Sequence, residues 1–273
     1  MAARARDGEA AAAEMFARLN AERRAAPEGE LGQFAALSIA QQYRLPYALT
    51  LAALRRPARV LDWGCGDGHF SAFLLAGGHD VTAYSLQHRP HVLRDAAGAR
   101  LRYVQGGLSE PTLLPFPDAS FDAVFSVGVL EHVRELGGTE AGSLAEIRRV
   151  LDPSGLFLCF HLPNRYSYIE GLARLLKKPS GPGHDAAHRF RYAAADVERL
   201  LAQAGFETLV RGRYAFLPRN LFGRLPAAWR DAAGLTKSVN RLDDALAAAV
   251  PAVCQNHFAV ARPRGATSAR SAP

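Results

Sequence analysis

Three glycines spaced two apart, Gly64, Gly66 and Gly68, stand where the apolar run Val60-Leu61 passes through Asp62-Trp63 into His69-Phe70-Ser71-Ala72-Phe73-Leu74-Leu75. Glycine accepts positive φ and has no Cβ to hold a ligand off the backbone. A helix that begins just after such a turn offers free N–H groups and a positive dipole end. The chemistry this suits is the cradling of a small ligand, with Asp62 at the strand end able to accept a hydrogen bond or face a cation. A dinucleotide fingerprint needs Gly-x-Gly-x-x-Gly. Here the third glycine comes one position early and His69 stands in its place, which weakens a nicotinamide oxidoreductase reading. Two further histidines end apolar stretches: His132 follows Val129-Leu130-Glu131, and His161 closes Leu156-Phe157-Leu158-Cys159-Phe160. Either could take a proton near neutral pH. His132 would equally cap a backbone turn, and His161 would equally be a satisfied core histidine.

The elements that must position these residues alternate. A strand over about 58–63 leads through the glycine turn into a helix to about Leu75, stopped by Gly77-Gly78. Strands follow at 80–86, 101–106 and 123–127, with a helical stretch at about 90–97 and a turn at 116–122. Leu144, Ile147 and Leu151 at helical spacing define a helix over 140–151, ended at Asp152-Pro153-Ser154-Gly155, and 156–162 reads as a fully buried strand. A helix at 196–204, a strand at 207–214 and a last strand at 256–261 complete the pattern. Such alternation implies a parallel sheet covered on both faces, with ligands at the carboxyl ends of its strands. Residues 1–30 read as a frayed helical or disordered segment, 31–54 as two helices interrupted at Pro46, and about 164–190 and 218–250 as insertions. The loop Pro179–His184 is a candidate lid, and 264–273 reads as a disordered tail.

Asp62-x-Gly64-x-Gly66-x-Gly68 resembles the first motif of class I S-adenosylmethionine-dependent methyltransferases. The resemblance runs on through Leu114-Pro115-Phe116-Pro117, Ser120-Phe121-Asp122, Val129-Leu130-Glu131-His132-Val133 and Glu146-x-x-Arg149-Val150-Leu151-x-Pro153-x-Gly155. It reaches Pro163-Asn164 and His188-Arg189-Phe190-Arg191-Tyr192, covering about 58–215 and the terminal strand. These motifs are similar to the methyltransferase type 11 branch, which holds ubiquinone-biosynthesis, natural-product and sugar enzymes. The resemblance implies a Rossmann-like, doubly wound, mostly parallel seven-stranded sheet with an antiparallel last strand, and a methyltransferase domain over 31–263. It implies S-adenosyl-L-methionine as cofactor, with Asp62, Gly64, Cys65, Gly66 and Gly68 at its methionine side. Ser85 and Leu86 would meet the ribose, Gly107 and Leu108 the adenine, and Val127 and Gly128 the reacting centre. Two positions depart from the pattern, since Ser85 and Gly107 stand where the family carries acids. A serine cannot make the charge-assisted bidentate contact of a carboxylate, so weaker or repositioned binding is expected, with Asp80, Gln87 or Glu110 as substitutes.

The implied reaction is methyl transfer to a small-molecule acceptor, an oxygen first among the choices, with His132 or His161 as base if the nucleophile arrives protonated. Tyr166, Tyr168, His184 and His188 lie where an acceptor would be touched. Arg189 and Arg191 could bind an anionic group of it, but their alternation with Phe190 and Tyr192 reads first as an exposed strand face. The competing class is a catalytically inactive protein that keeps this fold as a binding scaffold. Nucleic acid is a poorer partner. The net charge of +7 comes from arginines spread along the chain, and Ser126-Val127-Gly128-Val129 replaces the Asp/Asn-Pro-Pro-aromatic sequence used on base amines. With 273 residues and 49% hydrophobic content the chain can bury a large core. No apolar run spans a bilayer, and Cys65, Cys159 and Cys254 have no metal-ligand spacing. A cytoplasmic protein with reduced thiols and no metal is expected.

Overall fold

The computed structural model describes residues 2–94, 100–175 and 188–265. Helix α1, Ala2–Arg23, is followed by short α2, Leu37–Ala40, and α3, Arg44–Ala53. The central alternation then runs β1 Arg59–Trp63, α4 His69–Ala76, β2 Asp80–Ser85, β3 Leu101–Gln105, β4 Phe121–Val127, α5 Glu140–Val150 and β5 Leu151–Pro163. After these come α6 Tyr168–Leu175, α7 Ala194–Gln203, β6 Phe206–Tyr214, α8 Ala227–Arg230, α9 Ala233–Ala249 and β7 Asn256–Pro263.

The seven strands form one sheet in the order β3-β2-β1-β4-β5-β7-β6. Strands β1 to β5 pair in parallel, and β7 runs antiparallel to both its neighbours. Alternation along the strands sorts side chains onto two faces. Leu61, Trp63, Val124, Phe157 and Ala261 share one core with Leu144 and Ile147 of α5 and Leu201 of α7. Val60, Phe125, Leu158 and Phe160 share the other with Phe70 and Leu74 of α4 and with Met15, Leu19, Tyr43 and Tyr47. The order reverses at β1 and β4, so their carboxyl ends flank the switch-point crevice.

Four expectations are corrected. The N-terminal segment is a docked helix rather than a frayed one, with Ala12, Met15 and Leu19 fully buried on the sheet-side core. Too little apolar periodicity is visible in that Ala-rich stretch because alanine serves both faces of a helix. Pro46 falls within the first turn of α3, where its missing N–H has no intrahelical acceptor to lose, so it begins a helix rather than dividing one. Only His91–Leu93 is helical in the 90–97 stretch, as a single 3-10 turn, and 95–97 lie outside the described residues. The fifth strand starts at Leu151, because a register shift between Phe121 and Ala123 lets Leu151 pair with Phe121 ahead of the regular ladder. The Pro179–His184 loop and residues 266–273 lie outside the described residues. Among the described residues no helix is long and apolar enough to cross a membrane.

Candidate functional site

Each glycine of the turn answers to a different neighbour. A Cβ on Gly64, at φ +77, would sit 2.5 Å from the Val129 side chain, and one on Gly68, also at φ +77, would strike Leu93 at 2.7 Å. Both are demanded by packing. Gly66, at φ +48, is different: a Cβ there would meet nothing nearer than the Gly64 carbonyl at 4.0 Å. Its open side faces a cavity of about 230 Å³ lined by Gly64, Gly66 and Trp63 from β1 and its turn, by Tyr84 to Gln87 at the end of β2 and just beyond it, and by Gly128, Val129 and His132 after β4. Pro111, Val133 and Leu136 complete the lining.

Asp62 does not reach that cavity. It is 1% exposed, and the Ser71 hydroxyl of α4 donates to its Oδ2 at 2.5 Å, so it ties the strand end to the helix behind the turn. Burial raises its carboxyl to about 6, partly offset by the Ser71 bond. Cys65 is buried against Ala83 and Leu93, its thiol raised by burial, and Val127 packs into the sheet-side core. Ser85 and Leu86 line the cavity, but the Ser85 hydroxyl already accepts the Gln87 N–H at 3.1 Å. Gly107 and Leu108, expected at the adenine, are exposed and line no part of the cavity, Leu108 being 67% exposed. Gly106 sets that boundary, because the chain there passes so close to the Tyr84 hydroxyl that a Cβ would lie 2.0 Å from it.

The cap over the turn comes from the N-terminal region. Asp67 Oδ2 accepts the Leu31 N–H at 2.8 Å and the Gln33 side-chain amide at 3.3 Å, and the same amide lies 3.2 Å from His69 Nδ1. Tyr43 brings its ring within 4.5 Å of His69 and 5.1 Å of His161. Among the described residues His69 and His161 each keep a buried Nε2 without a partner, and burial lowers both to about 3, so both rings are neutral.

His161 sits at φ +57 on a bulge between Cys159 and Leu162, which swings it out of the ladder. Its N–H donates to the Tyr214 hydroxyl at 2.9 Å, and its Nδ1 lies 3.3 Å from the Asn256 amide. His132 lines the cavity and lies 3.1 Å from Glu135 Oε2 through Nδ1. Glu131 is buried, its Oε2 has no partner among the described residues, and burial raises its carboxyl to about 7. Its Oε1 lies 4.0 Å from His132 Nε2 and 3.7 Å from where a Gly128 Cβ would be. The signal for it was the Glu131-His132 pair itself.

His188 stands 6.3 Å from His132, ring to ring, and its Nδ1 is 2.7 Å from Glu170 Oε1. Burial would lower His188, but the Glu170 bond and charge outweigh it and the imidazole is raised. Tyr168 spends its hydroxyl on the Phe216 carbonyl and stacks on that ring, whereas Tyr166 is 58% exposed. Arg189–Tyr192 is no strand face: Tyr192 is buried and forms a single bridge to Asn164, while Arg189 and Phe190 bend. His184 lies outside the described residues. Arg149 of the longest downstream motif is a structural tie, donating to Glu146, Asp118 and the Phe116 and Leu114 carbonyls.

A family model described as "Methyltransferase domain" matches residues 61–159. A probable S-adenosylmethionine-dependent methyltransferase of Mycolicibacterium smegmatis is 32% identical over 148 residues, 54% of this chain and 51% of that protein. A malonyl-[acyl-carrier protein] O-methyltransferase of Erwinia pyrifoliae is 39% identical over 102 residues, 37% of this chain and 36% of that protein. The chain thus spans about half or less of the length of these curated relatives. Among solved structures, a 1,6-didemethyltoxoflavin-N1-methyltransferase of Burkholderia thailandensis, with S-adenosylhomocysteine bound, is 25% identical. It superposes with a TM-score of 0.51 over 81% of this chain and 77% of its own. The sheet order, the glycine turn at its switch point and these likenesses agree: the fold is the Rossmann-like one of class I S-adenosylmethionine-dependent methyltransferases, and residues 61–159 match a methyltransferase domain.

Proposed function

We propose that this chain transfers the methyl group of S-adenosylmethionine to an oxygen of a small-molecule acceptor. The observation that carries the reading is Gly66, the one glycine of the three whose missing Cβ serves the cavity rather than the packing. When bound, the cofactor supplies a methyl group already activated on a sulfonium. Alignment is then the chain's main task. The Gly64–Gly66 backbone would hold the methionine part, supported from behind by Asp62, Cys65 and Gly68. Ser85, Leu86 and Gln87 would take the ribose, and Pro111 with Leu136 the adenine in place of Gly107 and Leu108. Val127 would place Gly128 at the reacting centre. His132, on the cavity wall with Glu131 behind it, would accept the proton of a hydroxyl acceptor. His161, held neutral and resistant to protonation, would shape the pocket instead. Tyr166, Tyr168 and His188 would border the acceptor.

Calorimetric titration with S-adenosylmethionine and S-adenosylhomocysteine tests the reading. Micromolar binding is expected for the wild type, and its loss in Gly66→Arg, which fills the open side of the turn. Absence of binding by folded wild-type protein would favour a non-catalytic module on the same fold. One observation supports that second reading: Ser85 replaces the expected acid, and its hydroxyl is already engaged by Gln87.

A further inference from the structure

Apart from the cavity, and sharing no lining residue with it, lies a larger recess of about 570 Å³. The guanidinium groups of Arg134, Arg165, Arg189, Arg191 and Arg199 line it, against the two carboxylates of Glu140 and Asp196. Both acids are already shared. Glu140 accepts from Arg134 Nε at 2.7 Å and from the Tyr192 hydroxyl at 2.7 Å. Asp196 accepts the Ala193 N–H at 2.9 Å and pairs with Arg165 at 3.0 Å and Arg199 at 3.3 Å. Arg191 reaches Glu170 at 3.4 Å, a carboxylate that also holds His188. Arg189 forms no ion pair among the described residues and lies over the Phe190 ring at 5.5 Å. Each guanidinium carries five N–H donors, so donors far outnumber the oxygens present. A concave wall with such an excess of positive charge concentrates its field on whatever anion enters.

The recess and the cavity are linked through the chain. Arg134 follows by two residues His132, which lines the cavity, and Arg189 follows directly on His188, whose ring is 6.3 Å from that of His132. We infer that this arginine-lined recess is an oxyanion subsite for the acceptor, holding a carboxylate or phosphate group of the molecule whose nucleophile is presented at His132. The assignment to the acceptor rests on the methyltransferase reading; anion binding in the recess does not.

The test is a ¹H–¹⁵N NMR titration at low ionic strength with inorganic phosphate and, separately, sodium acetate. Saturable shifts centred on Arg165, residues 188–192 and Arg199 are expected, weakened at least tenfold in Arg189→Gln and unchanged in Arg262→Gln, whose partner Glu207 lies at the start of β6, at the opposite end of the strands from the Asn164–Tyr192 bridge. Tighter phosphate points to a phosphate ester, tighter acetate to a carboxylate. Non-saturating shifts, or equal binding in Arg189→Gln, would overturn the subsite. Phosphate is expected to remain bound when S-adenosylhomocysteine is added, and mutual displacement would overturn the assignment to the acceptor. Polyglutamate that binds here a hundredfold more tightly and resists displacement by phosphate would replace it with an acidic-protein dock. Gly66→Arg is expected to keep phosphate while losing the cofactor. Wild type that binds phosphate but no S-adenosylhomocysteine would refute the methyltransferase reading, and the acceptor assignment with it, while leaving the anion site standing.

Discussion

Two carboxyls at the end of this sheet are held in surroundings that favour their neutral forms. Burial lifts Asp62 from its ordinary 3.8 to about 6 and Glu131 from 4.5 to about 7. Between those limits the folded chain keeps protons that the unfolded chain has released. Their contribution to stability is therefore full below about pH 4 and lost as pH rises through 6 for Asp62 and 7 for Glu131. Each shift amounts to roughly 3 kcal/mol. Asp62→Asn, which can still accept from Ser71, and Glu131→Gln are both expected to be more stable than wild type at pH 8 and to lose that advantage at pH 4. Urea unfolding at the two pH values checks this. An unchanged difference between wild type and variant across the range would show that neither carboxyl is desolvated as the geometry indicates.

At the scale of elements, α1 carries more of the fold than its composition suggests. Gly8 faces α3 so closely that a Cβ would lie 2.0 Å from the Arg44 carbonyl. Alanine normally favours a helix over glycine by about 1 kcal/mol. Here the sign reverses, because the clash is with backbone that cannot swing away. Gly8→Ala is expected to lower the melting temperature, and a rise would show that the two helices can part without loss. The same region caps the glycine turn through the Leu31 N–H and Gln33 on Asp67. Asp67→Ala is expected to weaken S-adenosylhomocysteine binding severalfold by freeing that cap, with little change in melting temperature, as calorimetry and a thermal melt would show. Equal affinity would confine the cap to packing.

On the scale of the whole molecule, Asp243 of α9 joins parts far apart in the chain. It is 1% exposed, pairs with Arg219 at 3.0 Å and Arg44 at 3.1 Å, and accepts the Phe216 and Leu217 N–H groups at 2.8 Å each. Burial would raise its carboxyl, but Arg44, the backbone donors and Arg219 together hold it below the ordinary range. Removing one partner of such a buried pair costs about 3–5 kcal/mol, since the other charge stays behind. Asp243→Ala is expected to lose about that much in urea unfolding, and a loss under 1 kcal/mol would mean that water replaces the carboxylate.

Read alone, the sequence determined the alternation of β1 to β5 and the glycine turn, while the antiparallel close of the sheet was only what the family resemblance implied. The alternation and the turn are written locally, in hydrophobic periodicity and in residues with restricted backbone choices. It placed Gly64, Gly66, Ser85, Leu86, Gly128 and His132 at one cavity, because strand ends in a parallel sheet share an edge. Which glycine opens to the cavity and which merely packs was decided by Val129 and Leu93, whose contact with the turn no spacing reveals. The same holds for Asp62 behind the turn, for Gly107 and Leu108 outside the cavity, for the docking of α1, and for the gathering of five arginines in one recess. All of these depend on contacts between residues distant in the chain, and only the packed tertiary structure brings them together.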